Sequence, residues 1–283
     1  MQIQETTVNR ILNPTSINLG DYVINPYKGC VFACAYCYAR QTKSAQKDPR
    51  KWGDYVDVRI NAISLLQKEL RIKRPKRVLL GSITECFQPI EQKYHLTSEI
   101  LHVLNTYEIP YAILTRSPMI TDAIPLLRQG FCHAIYFTIN HYPEPFELQV
   151  EPRGPKITDR VQAILSLFKA QIPVIPYCCP ILPEITTLEP IFSTLSTIPY
   201  IEFEAVNFSS SNHILEKIAQ LYPNLVETYT QIMYCEHTFT HTWQVIANKI
   251  QHLTQLHKKK YELHLHPYQA FFNNRYNLPS TVE

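Results

Sequence analysis

Glycine is scarce in this chain, with six residues in 283, at positions 20, 29, 53, 81, 130 and 154. Neither a G-x-x-x-x-G-K-[ST] loop nor a G-x-G-x-x-G turn can be assembled from them, which removes the P-loop and the Rossmann phosphate cradle. No apolar run of about 18 residues occurs, so no membrane-spanning helix is expected. The first residues, MQIQETTVNR, lack a basic stretch leading into an apolar one, so no secretory signal is expected. Charge is thin as well: the net value is +3, which is weak ground for a polyanionic partner. Basic residues gather at 71–77 (RIKRPKR) and 257–260 (HKKK), and both segments read first as solvated helix ends. No internal repeat or low-complexity segment stands out.

What remains is an ordinary globular composition, 45% hydrophobic and 18% charged. The length suits one large domain, or one domain with an extension. Eight cysteines without a signal peptide point to a reducing compartment, and a cytoplasmic location is expected. Cys86, Cys132, Cys178, Cys179 and Cys235 are scattered, as small buried apolar residues usually are.

Beyond residue 55 two textures alternate. Apolar, β-branched runs at 77–83, 111–115, 133–139, 173–179 and 200–206 read as strands buried on both faces. Between them, 58–71, 96–107, 120–129, 158–170 and 187–196 carry a helical period. In VQAILSLFKA the apolar positions 161, 164, 165 and 168 share one helix face. With DYVINPY (21–27) as the first strand, six β/α units are expected. Such a succession builds a parallel α/β sheet, here a partial (β/α)6 barrel of TIM type, with its chemistry at the C-terminal strand ends. The expected organisation is a barrel over 1–210 and a mainly helical, partly aromatic C-terminal extension over 211–283.

The chemistry concentrates in NPYKGCVFACAYCYAR, residues 25–40, where Cys30, Cys34 and Cys37 stand in a C-x-x-x-C-x-x-C spacing. Three is an unusual ligand count. A structural zinc site closes with four ligands and a disulfide joins two cysteines. Three thiolates fit a [4Fe–4S] cluster, because four irons held at three points leave one iron open to a small molecule. A zinc site with a remote fourth ligand, or three unrelated buried cysteines, are the competing readings of these residues.

This motif, following a first strand and followed by β/α units, resembles the radical S-adenosylmethionine (SAM) superfamily. Its flanks resemble the spore photoproduct lyase-like branch, through NPYKGC, GSITECFQPIEQKYHLT (81–97), ILTRS (113–117), TIN (138–140) and EPRGPKITDR (151–160). Phe32 departs from the branch, which often carries His there. The resemblance implies that Cys30, Cys34 and Cys37 hold a [4Fe–4S] cluster whose open iron binds SAM. Reductive cleavage of SAM then gives a 5′-deoxyadenosyl radical that abstracts hydrogen from a substrate.

By the same resemblance, Tyr36 packs by the adenine, Thr84 and Glu85 stand where the SAM amino group binds, and Arg116 contacts SAM. Thr138 and Asn140 lie near the ribose, and Arg153 suits the methionine carboxylate, as a guanidinium fork suits two oxygens. The hydrogen-donating cysteine of the lyase is not reproduced: the stretch reads Ser82, Ile83, Thr84, Glu85, with Cys86 after the acid. Cys178, Cys179 and Cys86 are the candidate hydrogen-atom donors. Strand alternation allows only one of Cys178 and Cys179 to face the barrel interior.

The favoured substrate is a ribosomal precursor peptide, modified in its backbone or losing a tyramine unit. A repair lyase acting on a DNA or RNA lesion is the alternative, and a cluster-bearing binding module the third. The expected partners are a reductant such as flavodoxin or ferredoxin and a separate leader-binding protein, with nucleic acid less favoured and no membrane. His264 and His266 in LHLHP look like a metal pair but are read as members of an irregular tail.

Overall fold

A computed structural model describes residues 1–208 and 212–268. The expected boundary at 210 and the aromatic stretch beyond 268 lie outside the described residues. The chain forms two compact units. The first comprises Met1–Ala33, Ala39–Thr138 and Arg153–Pro176, and the second Cys34–Tyr38, Ile139–Pro152 and Tyr177–Glu283.

The first unit opens with β1 (Gln2–Thr6), β2 (Asn13–Pro14), β3 (Tyr22–Ile24) and β4 (Tyr27–Lys28). The short helix α1 (Lys43–Gln46) precedes β5 (Tyr55–Arg59) and α2 (Ala62–Leu70). Then come β6 (Val78–Leu80), α3 (Glu91–Tyr94), α4 (Leu96–Thr106), β7 (Tyr111–Thr115), α5 (Ile124–Leu127) and β8 (Cys132–Thr138). Strands β3, β6, β7 and β8 lie side by side and parallel, with Val23 opposite Leu79, Leu79 opposite Ala112 and Ala112 opposite Ala134. Val78, Leu79 and Leu80 are fully buried, as a strand covered on both faces requires.

A second, small sheet joins β1 to β5 in parallel and β5 to β4 antiparallel. It escaped the sequence reading because β1 is largely exposed and has no apolar run to show, and because Val58 and Arg59 of β5 fall within the stretch read as helical.

The helices of this unit follow the expected periods with three differences. The 58–71 stretch becomes helical only at Ala62, because Val58 and Arg59 end β5. The 120–129 stretch is a 3-10 turn over Pro118–Ala123 followed by the short α5, because Pro125 lacks the amide that would carry one helix through the stretch. In α7 (Ile157–Lys169) the buried positions are Arg160, Val161, Ala163, Ile164 and Leu167, and Phe168 is exposed. The apolar stripe is thus turned by about one residue from the expected 161, 164, 165 and 168. The aliphatic stem of Arg160 fills the core while its Nε donates to the Pro155 carbonyl at 2.8 Å.

In the second unit α6 (Glu144–Val150) is followed by the greater part of β9 (Val174–Ile181), then α8 (Glu189–Thr194) and β10 (Tyr200–Ala205). Helices α9 (Asn212–Leu221), α10 (Val226–Tyr234) and α11 (Glu236–Leu256) lead to β11 (Lys260–His264). The last strand is a correction: the C-terminal segment was expected to be helical and irregular, yet β11 pairs in parallel with β10 over its whole length, Tyr200 opposite Lys260 to Glu204 opposite His264. Its sequence, KYELH, follows a basic run that reads as a helix end, so the period of two is hidden.

Ile201, Phe203 and Ala205 are buried on one side of β10, where Phe203 stacks on Phe192 of α8 at 5.9 Å. Tyr200, Glu202 and Glu204 therefore share the other side. Among the described residues no helix is long and apolar enough to cross a membrane.

Candidate functional site

The first unit braces the loop that carries Cys30. Gly29 adopts φ +87°, and a Cβ there would run into the Tyr55 carbonyl, so the turn into Cys30 needs glycine. The Gly29 carbonyl accepts from Thr84 Oγ1 at 2.6 Å, and Gln88 Oε1 accepts from the Val31 amide at 3.1 Å. Gln88 Nε2 in turn reaches Thr84 Oγ1 at 3.3 Å. The residues on either side of Cys30 are thus tied to the loop after β6. That loop is tied back by Asn25, whose Nδ2 donates to Ser82 Oγ at 3.2 Å and whose Oδ1 accepts from the Ile83 amide at 3.1 Å. Gly81, at φ +85°, starts the loop where a Cβ would lie 2.6 Å from the Leu114 carbonyl.

Glu85 is buried, and its carboxylate is engaged on both oxygens. Oε1 accepts from the Phe87 amide at 2.9 Å and Thr115 Oγ1 at 2.7 Å, and Oε2 from the Arg116 amide at 3.0 Å. Burial raises its pKa, and these hydrogen bonds oppose the rise. Its immediate work is to lock the end of β7, including the Arg116 backbone, to the loop after β6. Cys86 is fully buried in the same loop, where burial and then the nearby Glu85 and Glu91 push its thiol pKa far up. Arg153 donates to the Gly53 carbonyl and to the Val31 carbonyl at 3.4 Å, and pairs with Asp54 at 2.7 Å. Its guanidinium is therefore engaged in holding the chain next to Cys30. Thr138 is half-buried at the end of β8.

In the second unit, the turn between the other two cysteines closes with the Cys37 amide on the Cys34 carbonyl at 3.3 Å, and the Ala35 amide bonds the Val150 carbonyl at 2.8 Å. Cys34 is buried and Cys37 half-buried, as is Cys30 in the first unit. Tyr36 donates its hydroxyl to Glu151. Asn140 Nδ2 lies 3.2 Å from the Tyr36 hydroxyl, 3.3 Å from Glu151 Oε1 and 2.8 Å from the Cys179 carbonyl. The structure brings Tyr36, Asn140 and Cys179 together, with Glu151, which sequence reading missed, as their shared partner. Asn140 Oδ1 is buried and has no hydrogen-bond partner among the described residues. A buried acceptor in that state fits a ligand that brings its own N–H or O–H.

The strand-end question at Cys178 and Cys179 resolves by side. Cys178 stands opposite Phe203 and is fully buried, and burial pushes its thiol up to about 12. Cys179 is half-buried and lies on the side of Tyr177 and Glu204. Glu204 Oε2 accepts from Cys179 Sγ at 2.7 Å and from the Tyr177 hydroxyl at 2.9 Å, while its Oε1 lies 3.3 Å from His266 Nε2.

Further along the same side, His264 Nε2 meets Glu202 at 2.9 Å, and the Tyr200 hydroxyl reaches Glu202 at 2.9 Å and Glu262 at 3.2 Å. Glu202, Glu262 and His264 bring ligand atoms within 4.8 Å of one another. His264 and His266 are thus members of this carboxylate-rich side. Their partners Glu202 and Glu204 sit some sixty residues earlier in the chain, and nothing local in LHLHP announces them.

The pattern of the Radical SAM superfamily matches residues 24–191, more than half of the chain. An uncharacterised protein of Methanocaldococcus jannaschii is 29% identical over 228 residues, which cover 80% of this chain and 86% of that one. An uncharacterised protein of Mycobacterium tuberculosis is 28% identical over 192 residues, covering 64% of this chain and 55% of that one. Among solved structures, a variant of spore photoproduct lyase gives a TM-score of 0.58 at 17% identity, over 78% of this chain and 66% of that chain. Another, with bound AdoMet and dinucleoside spore photoproduct, gives 0.57 at 16% over the same shares. These likenesses are of fold, and they agree with the α/β, partial-barrel class expected from the strand and helix succession. Superfamily members use a [4Fe–4S] cluster and SAM. The chain belongs to the radical SAM superfamily.

Proposed function

We propose that this radical SAM enzyme abstracts hydrogen from a ribosomally made precursor peptide that lies along the side of β9–β11 bearing Cys179. One observation carries the choice of substrate. That side presents Glu202, Glu204 and Glu262 with Tyr177 and Tyr200, and Lys260 is the only lysine or arginine in the three strands. A phosphate backbone laid here would meet like charge. An extended peptide brings amide donors and cationic side chains to carboxylate acceptors. The basic 71–77 segment precedes β6, while the Cys30-bracing loop follows that strand.

Cys30, Cys34 and Cys37 are the residues that would hold the cluster, and three thiolates suit it. Tyr36, Asn140, Arg116 and Thr138 are the candidates to seat SAM, and the unsatisfied Asn140 Oδ1 supports a ligand with hydroxyl or amino donors there. When bound, the cluster and SAM supply a 5′-deoxyadenosyl radical. Within the chain, Thr84 and Gln88 hold the Cys30 loop and Glu85 holds the Arg116 backbone, while Glu151 aligns Tyr36. Cys179 is the proposed hydrogen-atom donor to the substrate radical, in preference to Cys178 and Cys86, which are fully buried. A low-potential one-electron reductant is required, and a separate leader-binding protein would present the peptide.

The test is anaerobic reconstitution, dithionite reduction and measurement of 5′-deoxyadenosine. A synthetic tyrosine- and lysine-containing peptide is expected to raise its formation, and ultraviolet-irradiated oligothymidylate to leave it unchanged. Stimulation by the oligonucleotide alone, with affinity falling steeply as salt rises, would replace the peptide reading with the repair reading.

A further inference from the structure

Glu204 gathers three hydrogen-bearing side chains on one carboxylate. Cys179 Sγ at 2.7 Å and the Tyr177 hydroxyl at 2.9 Å share Oε2, and His266 Nε2 stands 3.3 Å from Oε1. An ionised carboxylate only accepts hydrogen bonds, so each of these contacts places a hydrogen on the partner atom. The alternative at Cys179, a thiolate 2.7 Å from a carboxylate, sets two like charges in contact in a half-buried site.

We propose that Glu204 is a positioning residue that keeps Cys179 in its S–H form and fixes that hydrogen on the β9–β11 side. The inference rests on the reading of Cys179 as the hydrogen-atom donor. A thiolate carries no hydrogen atom, so a donor cysteine must stay protonated at the working pH.

The step is balanced within the chain and its reductant. The Cys179 S–H bond breaks homolytically as the substrate carbon gains a C–H bond, leaving a thiyl. One electron from the low-potential reductant and one proton then restore the thiol. Rotation about the Cβ–Sγ bond is enough to turn the hydrogen from Glu204 toward the substrate.

Glu204 suits this task. Burial raises its pKa most as a single influence, but hydrogen bonds from His266, Cys179 and Tyr177 together outweigh it and leave the carboxyl below its usual range. It is therefore charged at neutral pH. Titratable groups near Cys179 include Tyr177 beside it, Tyr142 from the loop before α6, Tyr36 and Glu151 across Asn140, Glu202 on β10, and His264 and His266 at and just beyond the end of β11.

The test reads thiol ionisation and needs no substrate. The reconstituted holoenzyme is treated anaerobically with iodoacetamide across pH 6–11 (roughly the range that brackets a thiol pKa), and alkylation of Cys179 is followed by peptide mass spectrometry. In the wild type the midpoint is expected above the ordinary thiol value of about 8.5. In Glu204→Gln the alkylation rate at pH 8 is expected to rise about tenfold, equivalent to one pKa unit. Glu204→Asp, which keeps the charge, is expected to restore part of the slow rate.

A wild-type midpoint at or below the ordinary value overturns the proposal even if the variants fail to fold. An unchanged midpoint in Glu204→Gln overturns it as well. Because this readout is independent of turnover, its failure is separate from a failure of the peptide reading, which the 5′-deoxyadenosine assay reports.

Discussion

Around Cys30 the polar side chains of Asn25, Thr84, Glu85, Gln88 and Arg153 all reach main-chain atoms, those of Ile83, Gly29, Phe87, Arg116, Val31 and Gly53. On the β9–β11 side the side chains of Tyr177, Cys179, Glu204 and His266, and of Tyr200, Glu202, Glu262 and His264, end on one another. Bonds to main chain fix the shape of a loop whatever occupies it. Bonds among titratable side chains fix protons and charge and leave the backbone to the sheet. The first arrangement suits a permanently held group, and the second suits a reaction. Substitutions should therefore act on stability and cofactor retention in the one region, and on chemistry in the other.

The largest expected effect tests the held group itself. Replacing any one of Cys30, Cys34 or Cys37 by Ala should reduce 5′-deoxyadenosine formation to background and lower the iron content of the reconstituted protein. A variant that kept full iron and full cleavage would break the cluster assignment. Next comes Glu85→Ala, which strands the Phe87 and Arg116 amides and the Thr115 hydroxyl in a buried site. At about 1–3 kcal/mol for each buried group left unsatisfied, partly recovered by relaxation, the loss should be about 2–4 kcal/mol in a urea titration. Glu204→Ala frees partners that are only half-buried and should cost about 1 kcal/mol. Equal losses in the two variants would erase the distinction between the regions.

The first unit holds a second tightly tied group, which makes its response to acid predictable. Arg50 forks onto Asp48 through Nε at 2.8 Å and onto Asp57 through Nη1 at 2.7 Å, with Lys28 2.6 Å from Asp48 and the Tyr55 ring 4.1 Å from the guanidinium. The Arg50 hydrogen bonds, more than anything else, hold the Asp48 pKa far below its usual value. A folded-state pKa below the unfolded one means that the unfolded chain takes up the proton first. The stabilisation is therefore complete above about pH 4 and declines as the pH falls below it. Arg50→Ala should lower stability at pH 7 by about 3 kcal/mol and flatten the decline between pH 4 and pH 2 (roughly the carboxylate range), measured as denaturant midpoints at each pH.

Much of this was legible in the sequence, and the reasons it was legible also mark where it stopped. The three cysteines lie within eight residues, so their spacing is a local signal, and the β/α succession is carried by periods that any window reveals. Six strands appeared where the sequence predicted them, four paired in parallel in the first unit and β9 paired in parallel with β10. Strand β11 did not, because an edge strand on a carboxylate-bearing side has little apolar residue to show. Glu151, Glu202 and Glu204 were invisible as site residues for a related reason. Glu202 and Glu204 alternate along YIEFEA and so share a side, but the meaning of all three acids comes from Tyr36, His264 or Cys179, which the fold alone brings into contact. Arg153 and Glu85 show the converse: residue type and position suggested a ligand contact, while their hydrogen bonds go first to the protein's own backbone.

The finest comparison lies within two adjacent residues of β9. Cys178 is sealed beside Phe203, and Cys179 rests on Glu204. Serine is nearly isosteric with cysteine but more polar, so Cys178→Ser buries a hydroxyl among apolar neighbours and should cost about 1–3 kcal/mol. Cys179→Ser gives Glu204 an equivalent donor and should stay within about 0.5 kcal/mol of the wild type. Chemistry should rank the pair in the opposite order. The O–H bond of serine is stronger than the S–H bond it replaces, so a carbon radical gains nothing by taking its hydrogen. With turnover run in heavy water, the Cys178→Ser enzyme should still place solvent deuterium at the attacked carbon, because the Cys179 thiol exchanges with solvent. The Cys179→Ser enzyme should lose that label while 5′-deoxyadenosine is still made. Retention of the label in Cys179→Ser would move hydrogen donation to another residue, with Tyr177, which shares the same carboxylate oxygen, the next to be tested.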